Sequence, residues 1–242
     1  AAGLRPDARA EYVHAALFEY AAIRLRRRVI PHNVIHGRRH GKRRLGRQAQ
    51  GTQEIGSHAV CSLGHAHEVV AEALATQART LCHVSNLFYT RPQARLARRL
   101  VELSFADRVF FCNSGAEANE AGIKLARKYF KDKGHPERST IISMQQSFHG
   151  RTMATLSATG QEKIRAGYDP VLQGFSFVPF NDIEALEAAV DEVTCAVMLE
   201  PIQGEGGIRC PDSDYLRQVR QLCDRHGILM ILDEIQTGMS RT

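Results

Sequence analysis

No stretch of this 242-residue chain approaches the roughly 18 consecutive apolar residues that cross a bilayer, and its start lacks the apolar core of a secretory signal. A membrane protein and a secreted one are therefore not expected; the chain reads as soluble and cytoplasmic. Six cysteines are present (Cys61, Cys82, Cys112, Cys195, Cys210 and Cys223), yet no two are spaced Cys-x-x-Cys and no zinc-like pattern occurs. Free thiols are expected, several of them in the core. No Gly-Lys-Ser/Thr phosphate loop occurs, and "GEGG" is not a dinucleotide fingerprint, because no Gly-x-Gly-x-x-Gly opens a helix after a strand. "GHAH" offers His65 and His67 without a third ligand nearby, which suits a loop better than a metal centre.

A basic surface is also missing from most of the chain. Residues 1–50 carry 12 Lys/Arg against 3 Asp/Glu, a balance of +9, which leaves 20 against 23, or −3, for residues 51–242. The net charge of +6 therefore belongs to the N-terminal fifth, and the main body has no footprint for nucleic acid.

From about residue 66 onward the apolar periodicity alternates between helix and strand. Helices are predicted over "AHEVVAEALATQARTL", "RPQARLARRLVELS", "SGAEANEAGIKLARKYFKDKG" (with Gly134 placed to end it), "DIEALEAAV" and "SDYLRQVRQLCDRHG". A short helix is also expected near "FHGRTMATLSATG". Strands are predicted over "RVFFCN", "TIISMQQ", "FSFVPF", "TCAVMLEP" and "ILMILDE". Strands without polar alternation, separated by helices, imply an α/β fold whose mainly parallel sheet has helices on both faces. Such sheets bind ligands at the carboxyl ends of their strands.

Residues 1–56 break this pattern: basic, with little periodicity and no clear strand. A solvated segment is the simplest reading; an arginine-rich arm for nucleic acid or a transit peptide are the others.

Four motifs fall at predicted strand ends. In "FFCNSGAEANEAGIKLARKY" small residues Ser114, Gly115 and Ala116 join a strand to a helix, so free N–H groups and the positive end of the helix dipole face one point, a cradle for phosphate. Ordinary capping by Asn113 or Ser114 explains the same residues. In "SFHGRT" Phe148 could lie flat on a planar ring and Arg151 hold a carboxylate by its two-pronged guanidinium; a core Phe and a surface Arg are the plainer account. "LEPIQGEGGI" places Glu200 and Glu205 among three glycines, so that both face one cleft or brace a tight loop. In "ILMILDEIQTGMSRT" an apolar strand delivers Asp233, whose charge needs a partner such as a protonated ring nitrogen, a salt bridge or a helix end; Gln236 follows three residues on.

Taken together, "SNLFYTRPQARLARRLVELSFADRVFFCNSGAEANEAGIKLARKY", "SFHGRTMATLSATGQEK", "LEPIQGEGGI" and "LDEIQTGMSRT" resemble the class III (subgroup II) pyridoxal-phosphate-dependent aminotransferases, in order and over about residues 57–242. Within that group the acetylornithine and succinylornithine aminotransferases are the most similar. The resemblance implies the fold type I large domain and the cofactor pyridoxal 5'-phosphate. It places Ser114, Gly115 and Ala116 on the phosphate, Phe148 on the pyridine ring, Asp233 on the ring nitrogen and Gln236 near the ring oxygen. Arg151 would hold the α-carboxylate of glutamate or 2-oxoglutarate, Glu205 would pair with a mobile arginine late in the family's chain, and Tyr89 would line the substrate channel. A homodimer and transfer of the δ-amino group of N-acetylornithine to 2-oxoglutarate, in arginine biosynthesis, are implied too. Ornithine, 4-aminobutyrate or another ω-amino acid as donor is the alternative within the family.

Two departures accompany the resemblance. The family's Schiff-base lysine follows the Asp-Glu-x-Gln motif, whereas the last lysine here is Lys163. The expectation is an incomplete cofactor domain over residues 57–242, with that lysine beyond Thr242 and no full catalytic cycle; a non-catalytic fragment or pseudo-enzyme is the reading from another class. The family's Trp-Asp hairpin is also missing, since the chain has no tryptophan and reads "RRLGRQAQGTQEIGSH" in that place. Leu45-Gly46-Arg47 can be encoded CTG GGA CGC, and one base along this reads Trp-Asp-Ala. Part of residues 1–56 is accordingly taken as a frame-shifted small-domain segment.

Overall fold

The computed structural model describes the backbone of residues 12–15 and residues 63–85, 87–239 and 241–242. These fall into two compact units, one holding residues 94–242 with the strand at Tyr12–Ala15, the other lying within residues 28–93. Apart from that strand, the atypical segment 1–56 and the frame shift taken for it lie outside the described residues, as does Cys61.

Five strands, β1 (Tyr12–Ala15), β2 (Thr140–Met144), β3 (Phe175–Val178), β4 (Thr194–Leu199) and β5 (Leu229–Asp233), form one sheet in the order β1-β5-β4-β2-β3. Every pairing is parallel. The helices are α1 (Glu68–Thr80) in the second unit, α2 (Arg91–Leu103) across the division, and α3 (Gly115–Asp132), α4 (Met153–Ala158), α5 (Glu162–Arg165), α6 (Ile183–Ala189) and α7 (Tyr215–His226) in the first. None of the described helices is long and apolar enough to cross a membrane.

Strand side chains alternate between two cores, as the period of two requires. Ile141, Met198, Leu229 and Ile231 join Ile123, Ala126 and Phe130 of α3 and Ala154 and Ala158 of α4 on one face. Ile142, Val197, Leu199 and Met230 join Leu186 of α6 and Tyr215, Val219 and Leu222 of α7 on the other. Both faces are covered, which explains why all six residues of β4 are buried and why its sequence is apolar from Cys195 onward. Burial of each such side chain contributes about 1.5–3 kcal/mol.

Two expectations need correction. "RVFFCN" is not assigned as a strand: only Phe110 makes a β-bridge there, and among the described residues the segment enters none of the sheet's ladders. Conversely, residues 1–56 do contribute a strand, β1, whose Val13 lies opposite Ile231 of β5. Both follow from one fact: a strand exists only when a neighbour takes up its backbone groups, and that neighbour is remote in sequence.

The winding places the site. From β2 the chain runs to β3 on one side, then passes through α6 to β4 on the other side of β2, and continues outward to β5. The order therefore reverses between β2 and β4, and a crevice opens outside the carboxyl ends of the strands at such a reversal.

Candidate active site

Three of the four motifs leave the sheet at that reversal: Gln145 to Arg151 after β2, Glu200 to Gly207 after β4 and Glu234 to Gly238 after β5. The fourth opens α3. Ser114, the N-cap of α3, accepts the N–H of Glu117 on its hydroxyl at 3.2 Å. Glu117 reaches back to the N–H of Asn113 at 2.6 Å, so the turn is a reciprocal cap. The backbone N–H of Asn113, and after it the Asn113 side-chain amide, hold the Glu117 carboxyl below its ordinary range. Capping is thus observed, but it does not use up the turn. The N–H groups of Gly115 and Ala116 take no acceptor among the described residues, at the positive end of an 18-residue helix.

Close packing joins this turn to the other motifs. A Cβ on Gly115 would lie 2.8 Å from Ile235 Cγ1, so only glycine lets the "DEIQ" turn sit against the start of α3. Gly150, at φ +126°, would set a Cβ 2.9 Å from that of Ala116. Glycine is required there both by conformation and by space.

Asp233 is 3% exposed and holds three donors. Its Oδ2 accepts from Asn119 Nδ2 at 2.7 Å and lies 2.8 Å from His149 Nδ1, while Oδ1 accepts the N–H of Ile235 at 3.2 Å. No lysine or arginine pairs with it among the described residues. Of the partners open to it in the sequence, a side-chain network including His149 is what the fold supplies, and Oδ1 keeps one acceptor position.

Glu200 is buried as well. Its Oε2 accepts the N–H of Phe148 at 3.1 Å and its Oε1 that of Gly204 at 3.3 Å. Burial pushes its carboxyl up to about 7, against the pull of these two N–H groups. Glu200 therefore braces the loop after β2 against the loop after β4 rather than facing an open cleft. Glu205 is exposed, and its Oε1 accepts from Gln236 Nε2 at 3.1 Å, which brings together two residues that the sequence placed in separate motifs.

Phe148 is half-buried, and the exposed Arg151 sets its guanidinium carbon 6.0 Å from the centre of that ring. Arg151 has no carboxylate partner among the described residues, so its guanidinium is open to a carboxylate ligand. Tyr89 belongs to the other unit, where it is 98% exposed.

Asn119 carried no mark in the sequence, yet it holds Asp233. The signal was there: Asn119 stands on the stripe of α3 whose other members, Gly122, Ile123, Ala126 and Phe130, are buried, and a polar residue on an apolar stripe must find a partner. Glu120 was also missed. It accepts from Thr152 Oγ1 at 2.6 Å and from the N–H of Ala154 at 3.1 Å, fixing α4 behind Arg151. Chemically, open N–H groups at a helix start, a half-buried aromatic ring and a pinned carboxylate with one free acceptor position fit a phosphorylated, protonatable aromatic ring.

The sequence pattern of "Aminotransferase class-III" matches residues 52–242. Acetylornithine aminotransferase of Myxococcus xanthus is 54% identical over 188 residues, which are 78% of this chain and 47% of that protein. The acetylornithine aminotransferase of Methanocaldococcus jannaschii is 56% identical over 183 residues, 76% of this chain and 46% of that one. Among solved structures, N-acetylornithine aminotransferase from Stenotrophomonas maltophilia K279a matches with a TM-score of 0.64 at 45% identity, covering 76% of this chain and 45% of that one. Ornithine aminotransferase from Toxoplasma gondii ME49 matches with a TM-score of 0.72 at 34% identity, covering 75% and 44%. This chain spans less than half the length of each of these relatives. Its parallel α/β sheet and the four motifs at one end of it agree with those matches: the chain belongs to the class-III aminotransferase family.

Proposed function

We propose that this chain is the cofactor-holding portion of a pyridoxal-phosphate-dependent aminotransferase that moves the δ-amino group of N-acetylornithine to 2-oxoglutarate. The observation that carries the reading is the convergence of the free N–H groups of Gly115 and Ala116 with the pinned carboxylate of Asp233 on one crevice. Bound pyridoxal phosphate supplies an electron-accepting ring for the pair left when a substrate Cα loses its proton.

The chain's own residues hold and orient that ring and a substrate. Ser114, Gly115 and Ala116 hold the phosphate through backbone N–H groups and the α3 dipole. Asp233 keeps a proton on the ring nitrogen, without which the ring is a poorer electron acceptor. Phe148 covers the ring and keeps water from it, and Gln236 lies by the ring hydroxyl. Arg151 receives the α-carboxylate of glutamate or 2-oxoglutarate as a two-pronged ion pair. Glu205, held by Gln236, stands where it could attract a substrate cation or an arginine. A cytoplasmic homodimer belongs to the same reading. The acyl donor is favoured over free ornithine because, among the solved structures, the N-acetylornithine enzyme is 45% identical to this chain and the ornithine enzyme 34%.

Calorimetric titration of the chain tests this. Pyridoxal 5'-phosphate should bind, after which 2-oxoglutarate and N-acetylornithine should bind more tightly than ornithine or 4-aminobutyrate. A chain that does not bind the cofactor would sink the proposal; equal binding of all four ligands would sink its acylornithine part.

A further inference from the structure

The hydrogen bonds around Asp233 lead one step further, and rest on the cofactor reading for the identity of the ligand. A carboxylate oxygen offers two acceptor positions. Oδ2 of Asp233 is filled by two side chains, Asn119 Nδ2 at 2.7 Å and His149 Nδ1 at 2.8 Å, whereas Oδ1 receives only the N–H of Ile235 at 3.2 Å.

Each of the two side chains is itself fixed. The amide nitrogen of Asn119 also donates to the carbonyl of His149 at 2.9 Å, so turning the amide over would set its oxygen against two acceptors. The N–H of His149 donates to Thr159 Oγ1 at 3.0 Å, and its ring is held in full burial. His149 Nε2 is buried with no partner among the described residues. A hydrogen on Nε2 would be a buried donor left unpaired and would leave two lone pairs facing each other at Asp233, so the ring hydrogen belongs on Nδ1. Both donors thus point at Oδ2, and neither can turn away without stranding a buried group.

We propose that Asn119 and His149 are positioning residues for the ring nitrogen of the cofactor: by filling Oδ2 of Asp233 they make Oδ1 the oxygen that receives it. The pair acts through Asp233 alone, so its effect is confined to ligands that carry a ring N–H. A structural role would instead weaken every ligand of the site equally.

The test titrates the 242-residue chain with pyridoxal 5'-phosphate and with its analogue in which ring C–H replaces the nitrogen. His149→Leu and Asn119→Leu should each weaken the first by about 10- to 100-fold, the range for losing a hydrogen bond to a charged group, and the second by less than about threefold. His149→Asn, whose amide nitrogen stands where Nδ1 does, should stay within about threefold of the parent for both. Equal losses for the two ligands, or a parent that does not distinguish them, would overturn the proposal. If the parent binds neither, the cofactor reading is what fails, and nitrogen NMR of the unliganded chain then decides the positioning. The His149 hydrogen should sit on Nδ1 and shift in Asp233→Leu; a hydrogen on Nε2 in the parent overturns it.

Discussion

The carboxylate of Glu200, at the end of β4, accepts the backbone N–H of Phe148 at 3.1 Å across 52 residues of sequence. That bond crosses the point at which the strand order reverses and ties the loop carrying Phe148, His149 and Arg151 to the strand beside it. The cost is a carboxylate taken out of water, and the consequence is dependence on pH.

Burial moves the Glu200 carboxyl from about 4.5 up to about 7. The folded chain therefore keeps a proton over a range in which the unfolded chain has lost it. Stability from this group is present in full below pH 4.5 and falls as pH rises toward 7, by on the order of 3 kcal/mol. Urea unfolding between pH 5 and 8 should show a decline in the parent relative to Glu200→Gln, which has no charge to bury. Parallel pH profiles for the two proteins would contradict this account.

Gly115 is set by Ile235. The methyl of Gly115→Ala would meet Ile235 Cγ1 at 2.8 Å and push the turn after β5 away from the start of α3. Overpacking of this kind costs about 1–3 kcal/mol, and cofactor affinity should fall at least tenfold because Asp233 moves with that turn. Adding Ile235→Ala should restore much of both. A single variant with unchanged affinity would separate the phosphate cradle from the Asp233 turn.

Arg151 is exposed and lacks an acidic partner among the described residues, so its removal leaves no buried charge behind. In Arg151→Leu the binding of 2-oxoglutarate to the cofactor-loaded chain should weaken by about 10- to 100-fold, with cofactor affinity unchanged. Arg151→Lys should recover little, since a point charge cannot replace a two-pronged guanidinium. Full recovery by lysine would mean that Arg151 supplies charge alone.

The thiols report on the fold directly. Burial pushes Cys195 and Cys223 up to about 12, whereas Cys82 and Cys210 are exposed. Because the thiolate is the reacting species, iodoacetamide at pH 8 should label Cys82 and Cys210 in the folded chain and reach Cys195 and Cys223 only after denaturation. Labelling of Cys195 in native buffer would mean that β4 is not buried on both faces.

Sequence patterning located β2, β3, β4 and β5 and their helices because these strands are mainly apolar, with β2, β4 and β5 largely buried on both faces, and are separated by stripes of helical period. The same logic failed at "RVFFCN", apolar yet outside the ladders of the described residues, and at β1, four residues too short to carry a pattern. Of the site, Ser114 to Ala116, Phe148, Arg151, Glu205, Asp233 and Gln236 were legible from glycine-rich turns and charges at strand ends. Neither Asn119 nor His149 was singled out. Their function consists of bonds to Asp233 that span 114 and 84 residues, which no local pattern records.

By itself, then, the sequence determined the α/β class, the family and the residues offering N–H groups at a helix start, a ring, a guanidinium and a carboxylate. These depend on local periodicity, on turn chemistry and on motifs contiguous along the chain. Only the tertiary structure decided what those groups do to one another: that Glu200 braces two loops, that Gln236 holds Glu205, and that Asn119 and His149 fill one oxygen of Asp233. The physical reason is the reversal of strand order between β2 and β4, which brings distant strand ends to one crevice where buried polar groups must pair with whatever side chains the fold sets beside them.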